Sequence, residues 1–351
     1  MGISVRLCWG GGLNCRVGGK IQLSHSYENI ISHENLCLAW EEFIIDKKKK
    51  IDVVEFESRL MDNIVELHED LVNRVYQHGG YKSFFINDPK RRHIHKASVR
   101  DRLLHHAVYR ILYPFFDKTF IAGSFSCRDN KGTHKAVNSF RNLVFRVSKN
   151  HNRTCWVLKC DIRKFFASIN HEILLTILRS YIPDQNILRL LQNIINSFHT
   201  ESLSGVGLPL GNLTSQLFAN IYLNKFDQWV KHRLKSHYYA RYADDFIFLS
   251  RDKFRLEAAM PKIQEFLQSN LKLTLHPDKV FIKTVSSGVD FLGWVNFFDH
   301  RVIRTKTKQR MLRKIRLTTK DTVVQSYLGL ISHGNSRKLK QKVASECWLW
   351  R

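Results

Sequence analysis

Two adjacent carboxylates, Asp244 and Asp245, stand between the runs HYYARY and FIFLS. Runs so rich in aromatic and branched side chains read as buried strands, and Ala-Asp-Asp between them reads as a hairpin turn, because Asp tolerates turn conformations. Such a hairpin commits the chain to a sheet whose tip carries both acids. Neighbouring negative charges repel, and burial beside apolar strands worsens this unless a cation intervenes. A hard divalent ion such as Mg2+ does so, held by one or two protein carboxylates while substrate phosphates fill the remaining positions. Asp161 offers a third carboxylate: it closes the strand-like stretch CWVLKCDI (155–162), where a strand end places a side chain at the rim of a sheet. If that strand neighbours the hairpin, Asp161 and Asp244 converge. Two Mg2+ ions held there can activate a hydroxyl and stabilise the leaving oxygen of an in-line phosphoryl displacement. Taken alone, Asp-Asp reads more simply as an exposed turn, so its setting in the chain decides.

That setting is basic. Lys and Arg number 56 against 31 Asp and Glu, a formal charge of +25, and the surplus recurs in DKKKK (46–50), PKRRHIHK (89–96), RVIRTKTKQRMLRKIR (301–316) and SRKLKQK (336–342). Basic groups spread over the whole length suit a long polyanion, attracted by phosphate neutralisation and counterion release. A solvated basic surface is the plainer alternative. With 44% hydrophobic and 25% charged residues in 351, the chain is globular and long enough for two or three domains. Seven cysteines without paired metal-ligand spacing argue against a disulfide framework and for reducing cytosol. Cys155 and Cys160, five apart in one strand, point to opposite faces and could not share a zinc. No apolar run reaches membrane-spanning length and no signal-peptide core opens the chain, so a cytoplasmic protein without membrane partners is expected. The opening MGISVRLCWGGGLNCRVGGK is glycine-rich and aperiodic, and reads as a mobile lead-in or a start codon assigned too early.

Helical periodicity runs through ENLCLAWEEF (34–43) and IVELHEDLVNRVYQHGG (64–80), with Gly79-Gly80 as the expected C-cap, and through DRLLHHAVYRILYPFF (101–116), which Pro114 should end. NHEILLTILRSYI (170–182) takes helical period with Asn170 as N-cap, and TSQLFANIYLNKFDQWVKHRL (214–234) is a longer helix. AAMPKIQEFLQSNL (258–271) is helical, KLTL, KVFIK and VDFLGWVNFF are strand-like, and the tail beyond Thr305 is basic and helical. Helices, then alternating strands and helices, then helices again predict a central sheet flanked by helical subdomains.

Tyr-Ala-Asp-Asp between strands, an upstream strand ending in Asp, and basic flanks together resemble the palm of reverse transcriptases. Further blocks match that family in order, over roughly residues 34 to 345: KRRHIHKASVRDRLLHHAV (90–108), SFSCRDNKGTHKAV (124–137), LKCDIRKFFASINHEIL (158–174), GLPLGNLTSQLFANIYL (207–223), NLKLTLHPDKV (270–280) and FLGW (291–294). YADD alone would be weak; the ordered series is not. The resemblance implies an α+β right-hand polymerase fold. A flexible lead-in (1–30) would precede fingers (31–150), a palm of antiparallel sheet plus helices with the catalytic site (151–298), and a helical thumb (299–351).

The same resemblance makes Asp161 and Asp244 metal ligands for two Mg2+ ions, with Asp245 as supporting carboxylate. Phe166 matches the aromatic gate against a ribose 2′-hydroxyl, with a core Phe beside Phe165 as the plainer reading. Lys90 and Arg92 match basic residues that grip the incoming triphosphate, and Lys279 a lysine that neutralises departing pyrophosphate. Leu210, before Gly211 in this nucleotide-binding segment, departs from the family: most members carry glutamine there. That departure, with SYLGLISHGNSRKLKQK (326–342), resembles the enzymes of diversity-generating retroelements, which copy a template RNA with errors concentrated at adenines. Loss of an amide that fixes the nascent pair would lower the penalty for a misfit.

In TKTKQRMLRKIRL (305–317), Lys306, Arg310 and Arg313 recur at helical spacing beside Met311, Leu312 and Ile315, like a thumb helix holding template–primer duplex. Implied partners are template RNA, primer or cDNA, dNTPs and a small basic accessory protein. Implied origins are bacterial, archaeal or phage, and an appended maturase or nuclease region is not expected. Two alternatives remain: a retron- or group II intron-type enzyme without biased errors, and a non-catalytic RNA-binding or phage-defence protein on a palm fold.

Overall fold

The computed structural model describes residues 16–17, 20–87, 90–200, 203–317 and 321–348. Along the chain these form β1 (Arg16–Val17), β2 (Lys20–Ile21), α1 (Tyr27–Ile31), α2 (His33–Phe43), α3 (Ile51–Glu57), α4 (Leu60–Val72), β3 (Tyr81–Ile86), β4 (Arg92–Ala97), α5 (Val99–Asp117) and α6 (Thr133–Val147). Then come β5 (Trp156–Asp161), a 3-10 turn (Phe165–Ser168), α7 (His171–Arg179), α8 (Gln185–Asn196), α9 (Leu213–His232), β6 (Tyr239–Tyr242), β7 (Asp245–Ser250) and α10 (Lys253–Leu271). β8 (Phe281–Thr284), β9 (Val289–Phe291), β10 (Trp294–Asn296), β11 (Arg301–Ile303), α11 (Thr305–Leu317), α12 (Asp321–Ser332) and α13 (Arg337–Trp348) complete an α+β chain with antiparallel sheets. It divides into two units: residues 1–120 with 164–225, and residues 121–163 with 226–351. Among the described residues no helix is long and apolar enough to cross a membrane.

In the first unit, α2 sets Leu36, Ala39, Trp40 and Phe43 on one face at three- and four-residue spacing and buries them against α5. Ser32 caps α2 through the Asn35 N–H, and Asn170 caps α7 through the Ile173 N–H as its sequence position predicts. The expected lead-in lies outside the described residues over 1–15 and 18–19. Its last part departs from expectation: Leu23, Tyr27 and Ile30 are buried, and the Leu23 N–H bonds the Tyr181 carbonyl at 2.9 Å.

Two helix ends also differ from the sequence reading. α4 stops at Val72, well before Gly79, because Arg74 turns left-handed (φ +60°) and Tyr76 dives inward to donate to Asp101 at 2.7 Å. Gly79 serves a different need: its N–H bonds Asp101 Oδ2, and a Cβ there would stand 2.9 Å from that oxygen. α5 runs through Pro114 to Asp117, since a proline in the last turn removes a single hydrogen bond while Phe115 and Phe116 beyond it are buried.

Also on α5, His105 is fully buried, and that burial, reinforced by His78 alongside, lowers its pKa to about 3. The unfolded chain therefore takes up this proton near pH 6.5 and the folded chain does not. Its contribution to stability is complete above pH 6.5 and is lost towards pH 3, at up to about 1.4 kcal/mol per pH unit. Urea midpoints should fall from pH 7.5 to 5.5, and His105→Leu should flatten that slope; an unchanged slope would contradict this account.

In the second unit the sheet order is β6-β7-β5-β8, every neighbour antiparallel. One face packs on α6 through Val157, Ala240, Ile247 and Leu249 against Phe140 and Val144. The other carries Phe246 and Phe248, with the Phe226 ring 5.1 Å from that of Phe246 and Trp229 stacked on Phe266 of α10 at 4.6 Å. KLTL is not a strand: Lys272 takes the left-handed C-cap of α10, and only Leu275 makes a bridge, to Ile162. β9, β10 and β11 form a small separate sheet, whose last hairpin straddles the expected 298/299 boundary.

Candidate active site

The acidic site lies within the second unit and follows from sheet register. β5 pairs with β7 so that Asp161, the last residue of one, faces Asp245, the first of the other. Partners in such a ladder stand about 4.5–5.5 Å apart at Cα. The Ile162 N–H donates to the Asp244 carbonyl at 3.2 Å, tying the hairpin turn to the end of β5. It is Ala243, not an aspartate, that takes the left-handed turn conformation (φ +52°). Asp244 thus sits in the turn, while Asp245 begins the strand.

Charge compensation comes from two lysines. Lys279 Nζ donates to Asp161 Oδ1 at 2.9 Å, and Lys159 Nζ lies 3.3 Å from Asp245 Oδ2. The other oxygen of Asp245, Oδ1, is buried with no hydrogen-bond partner. Burial is the main reason the Asp245 pKa is raised to about 7; Lys159 opposes the rise, and Asp161 and Asp244 add to it. A buried carboxylate oxygen lacking a donor, beside a second carboxylate, fits a hard cation, which satisfies that lone pair and relieves the repulsion. Asp161 and Asp244 would hold it, with Asp245 as the supporting carboxylate opposite Asp161. Among the described residues no three His, Cys, Asp or Glu side chains, these aspartates included, are grouped so that they could hold a metal ion by themselves; water and substrate oxygens would have to supply the other positions around an ion.

Two contributors escaped the sequence reading. Lys159 is two residues before Asp161 and so on the same face, and a lysine inside WVLKCD is the signal that could have revealed it. Arg241, fully buried, bonds Asp227 of α9 through Nε at 2.9 Å and Nη2 at 2.6 Å, while its Nη1 reaches the Ala243 carbonyl at 3.2 Å. Tyr239 donates to the same Asp227 at 2.7 Å. This network holds the turn that presents Asp244 from behind.

The nucleotide-binding candidates other than Lys279 lie in the first unit, where main-chain bonds fix Phe166 and Leu210. Leu208 N–H bonds the Phe166 carbonyl at 2.8 Å, and the Leu210 carbonyl accepts from His95 of β4 at 3.0 Å. Gly211 (φ +114°) follows Leu210 at a close approach where a Cβ would stand 2.9 Å from Ile94 Cγ2. Phe165 is buried, whereas Phe166, edge-on to its ring at 5.4 Å, and Leu210 are partly exposed. Arg92 begins β4, and both it and Lys90 are exposed. Back in the second unit, Lys306 and Arg313 of α11 are exposed and Arg310 is partly so. The apolar contacts of Met311 and Ile315 go inward: both are buried with Ile331 of α12 and Val343 of α13.

A family model described as "Reverse transcriptase (RNA-dependent DNA polymerase)" matches residues 86–295. The chain is 25% identical over 297 residues to Protein YkfC of Escherichia coli K12, covering 74% of this chain and 76% of that protein. It is 26% identical over 235 residues to an uncharacterized 91 kDa protein in the cob intron of Schizosaccharomyces pombe, covering 61% of this chain and 28% of that one. Identity to the group II intron-encoded protein LtrA of Lactococcus lactis is 23% over 318 residues, covering 71% and 51%. The chain therefore spans most of the first relative but only about half or less of the other two.

Proposed function

Because this chain belongs to the reverse transcriptase family of RNA-dependent DNA polymerases, we propose that it extends a DNA strand on an RNA template at the site formed by Asp161, Asp244 and Asp245, with errors concentrated opposite template adenines. The observation that carries the catalytic part is the register of β5 and β7, which sets Asp161 against Asp245 beside the turn bearing Asp244. When bound, two Mg2+ ions there supply charge neutralisation and activation of the attacking hydroxyl. The protein's own contribution is positioning. Lys159 and Lys279 keep the acids from repelling one another before substrate arrives, and Lys279, more exposed than Lys159, can transfer from Asp161 to the departing pyrophosphate.

The remaining assignments follow the resemblance: fingers over 31–150, palm over 151–298 and thumb over 299–351. Lys90 and Arg92 grip the triphosphate, and Lys306, Arg310 and Arg313 hold the template–primer duplex. A small basic accessory protein assists cDNA synthesis. Phe166 excludes the 2′-hydroxyl, supported by its partial exposure and by the Leu208 bond that fixes its backbone. Phe166→Ala should raise ribonucleotide incorporation relative to deoxynucleotide by about 10- to 100-fold in a primer-extension assay, the range expected for loss of one steric contact; an unchanged ratio removes the gate assignment.

Biased copying rests on Leu210. Its carbonyl is committed to His95 and its side chain offers no hydrogen bond, so pairing and shape carry the discrimination. A second reading, an intron-type enzyme without the bias, is favoured by the intron-encoded relatives. Sequencing cDNA from wild type and Leu210→Gln separates them: under the proposal wild type misincorporates mainly at adenines and the variant does so several-fold less often. Absence of bias in wild type favours the second reading.

A further inference from the structure

Within the first unit, the end of α4 and the start of α8 enclose a cavity of about 270 Å3, lined by Tyr27, Arg74, Tyr76, Asn186, Arg189 and Leu190 among others. That size falls just below the usual range for small-molecule pockets and suits one nucleotide-sized unit better than a folded segment. Its two guanidiniums, Arg74 and Arg189, have no hydrogen-bond or ion-pair partner among the described residues. The carboxylates nearby are occupied. Asp184 accepts the N–H groups of Tyr27, Asn186 and Ile187, and Asp70 is paired with Arg100.

The backbone at Arg74 is the second observation. It follows Asn73, the C-cap of α4, in the left-handed conformation (φ +60°) that glycine adopts without strain. Here a long cationic side chain occupies that position instead, and it points its charge into a cavity already lined by another. The tyrosine hydroxyls are tied down, Tyr27 to the Leu71 carbonyl at 2.8 Å and Tyr76 to Asp101 at 2.7 Å, so both rings are fixed as apolar walls. The Asn186 side-chain amide has no partner among the described residues and can both donate and accept.

We propose that this cavity binds one phosphate-bearing nucleotide unit, with its phosphate between Arg74 and Arg189 and its base against the tyrosine rings within reach of Asn186. Paired guanidiniums supply the charge-assisted contacts a phosphate takes, and fixed aromatic faces the stacking a base takes. The unit is a free nucleoside monophosphate or one residue of single-stranded RNA. The chemistry of recognition is common to both, and it does not depend on the polymerase assignment.

The test is calorimetric titration of the full chain in EDTA without template or primer. The probes are AMP, adenosine and a 5′-phosphorylated single-stranded RNA hexamer. AMP binding that weakens at least tenfold in both Arg74→Gly and Arg189→Ala, with adenosine inert, identifies a free-nucleotide site. No AMP binding, but hexamer affinity reduced at least tenfold in both variants, identifies an RNA-borne unit. If neither probe responds to either substitution, the proposal is overturned. Arg74→Gly removes backbone strain, so a urea midpoint at or above that of wild type separates lost binding from lost fold.

Discussion

Asp244→Ala is expected to lower Mg2+-dependent primer extension at least about a thousandfold, roughly 4 kcal/mol of transition-state stabilisation, while leaving the fold intact. The fold should survive because the turn depends on Ala243, whose carbonyl is held by Arg241, and on the Asp244 backbone carbonyl, which alanine retains. The catalytic loss should be large because the substitution removes one of the three carboxylates that would neutralise divalent cation charge at the end of β5 and the β6–β7 turn. A circular dichroism spectrum like that of wild type together with extension within tenfold of it would reject the catalytic reading and return the chain to a non-catalytic RNA-binding role.

Asp227→Ala is expected to cost about 3–5 kcal/mol of folding stability, the usual penalty for leaving one partner of a buried ion pair alone. Arg241 has no solvent to turn to: its side chain and that of Asp227 are both wholly buried, and Tyr239 loses its acceptor in the same step. Replacing both charges by apolar residues of similar size, Asp227→Leu with Arg241→Met, should recover much of that loss, since the pair itself is nearly neutral against hydrophobic packing. Urea unfolding of the single and double variants checks both statements. A single variant within 1 kcal/mol of wild type would show that the guanidinium finds another partner.

The parts of this site legible in the sequence were those written in local chemistry. The strand–turn–strand around Asp244, the strand end at Asp161 and the Asn170 cap each follow from a few consecutive residues, and each stands where those residues put it. Register is different. Nothing within WVLKCD states that β7 lies on one side of it and β8 on the other, because pairing is a property of strands far apart along the chain. Arg241 was missed for a related reason. Inside YYARYADD it counts as one more basic residue, and its burial is intelligible only with Asp227, which reaches it from α9. The ends of α4 and the fate of KLTL were misjudged where a non-glycine residue, Arg74 or Lys272, adopts the left-handed cap that sequence reading reserves for glycine.

The place of β5 between two later strands has a consequence for how the chain is made. Synthesis delivers Trp156–Asp161 first, and its partner β7 only after roughly 80 more residues, on the order of 5–15 seconds at ordinary ribosome speeds. During that interval a six-residue segment, apolar apart from Lys159 and Asp161, has both edges unpaired. Nascent chains stalled before residue 245 should therefore recruit chaperones or clump, whereas chains released beyond β8 should not.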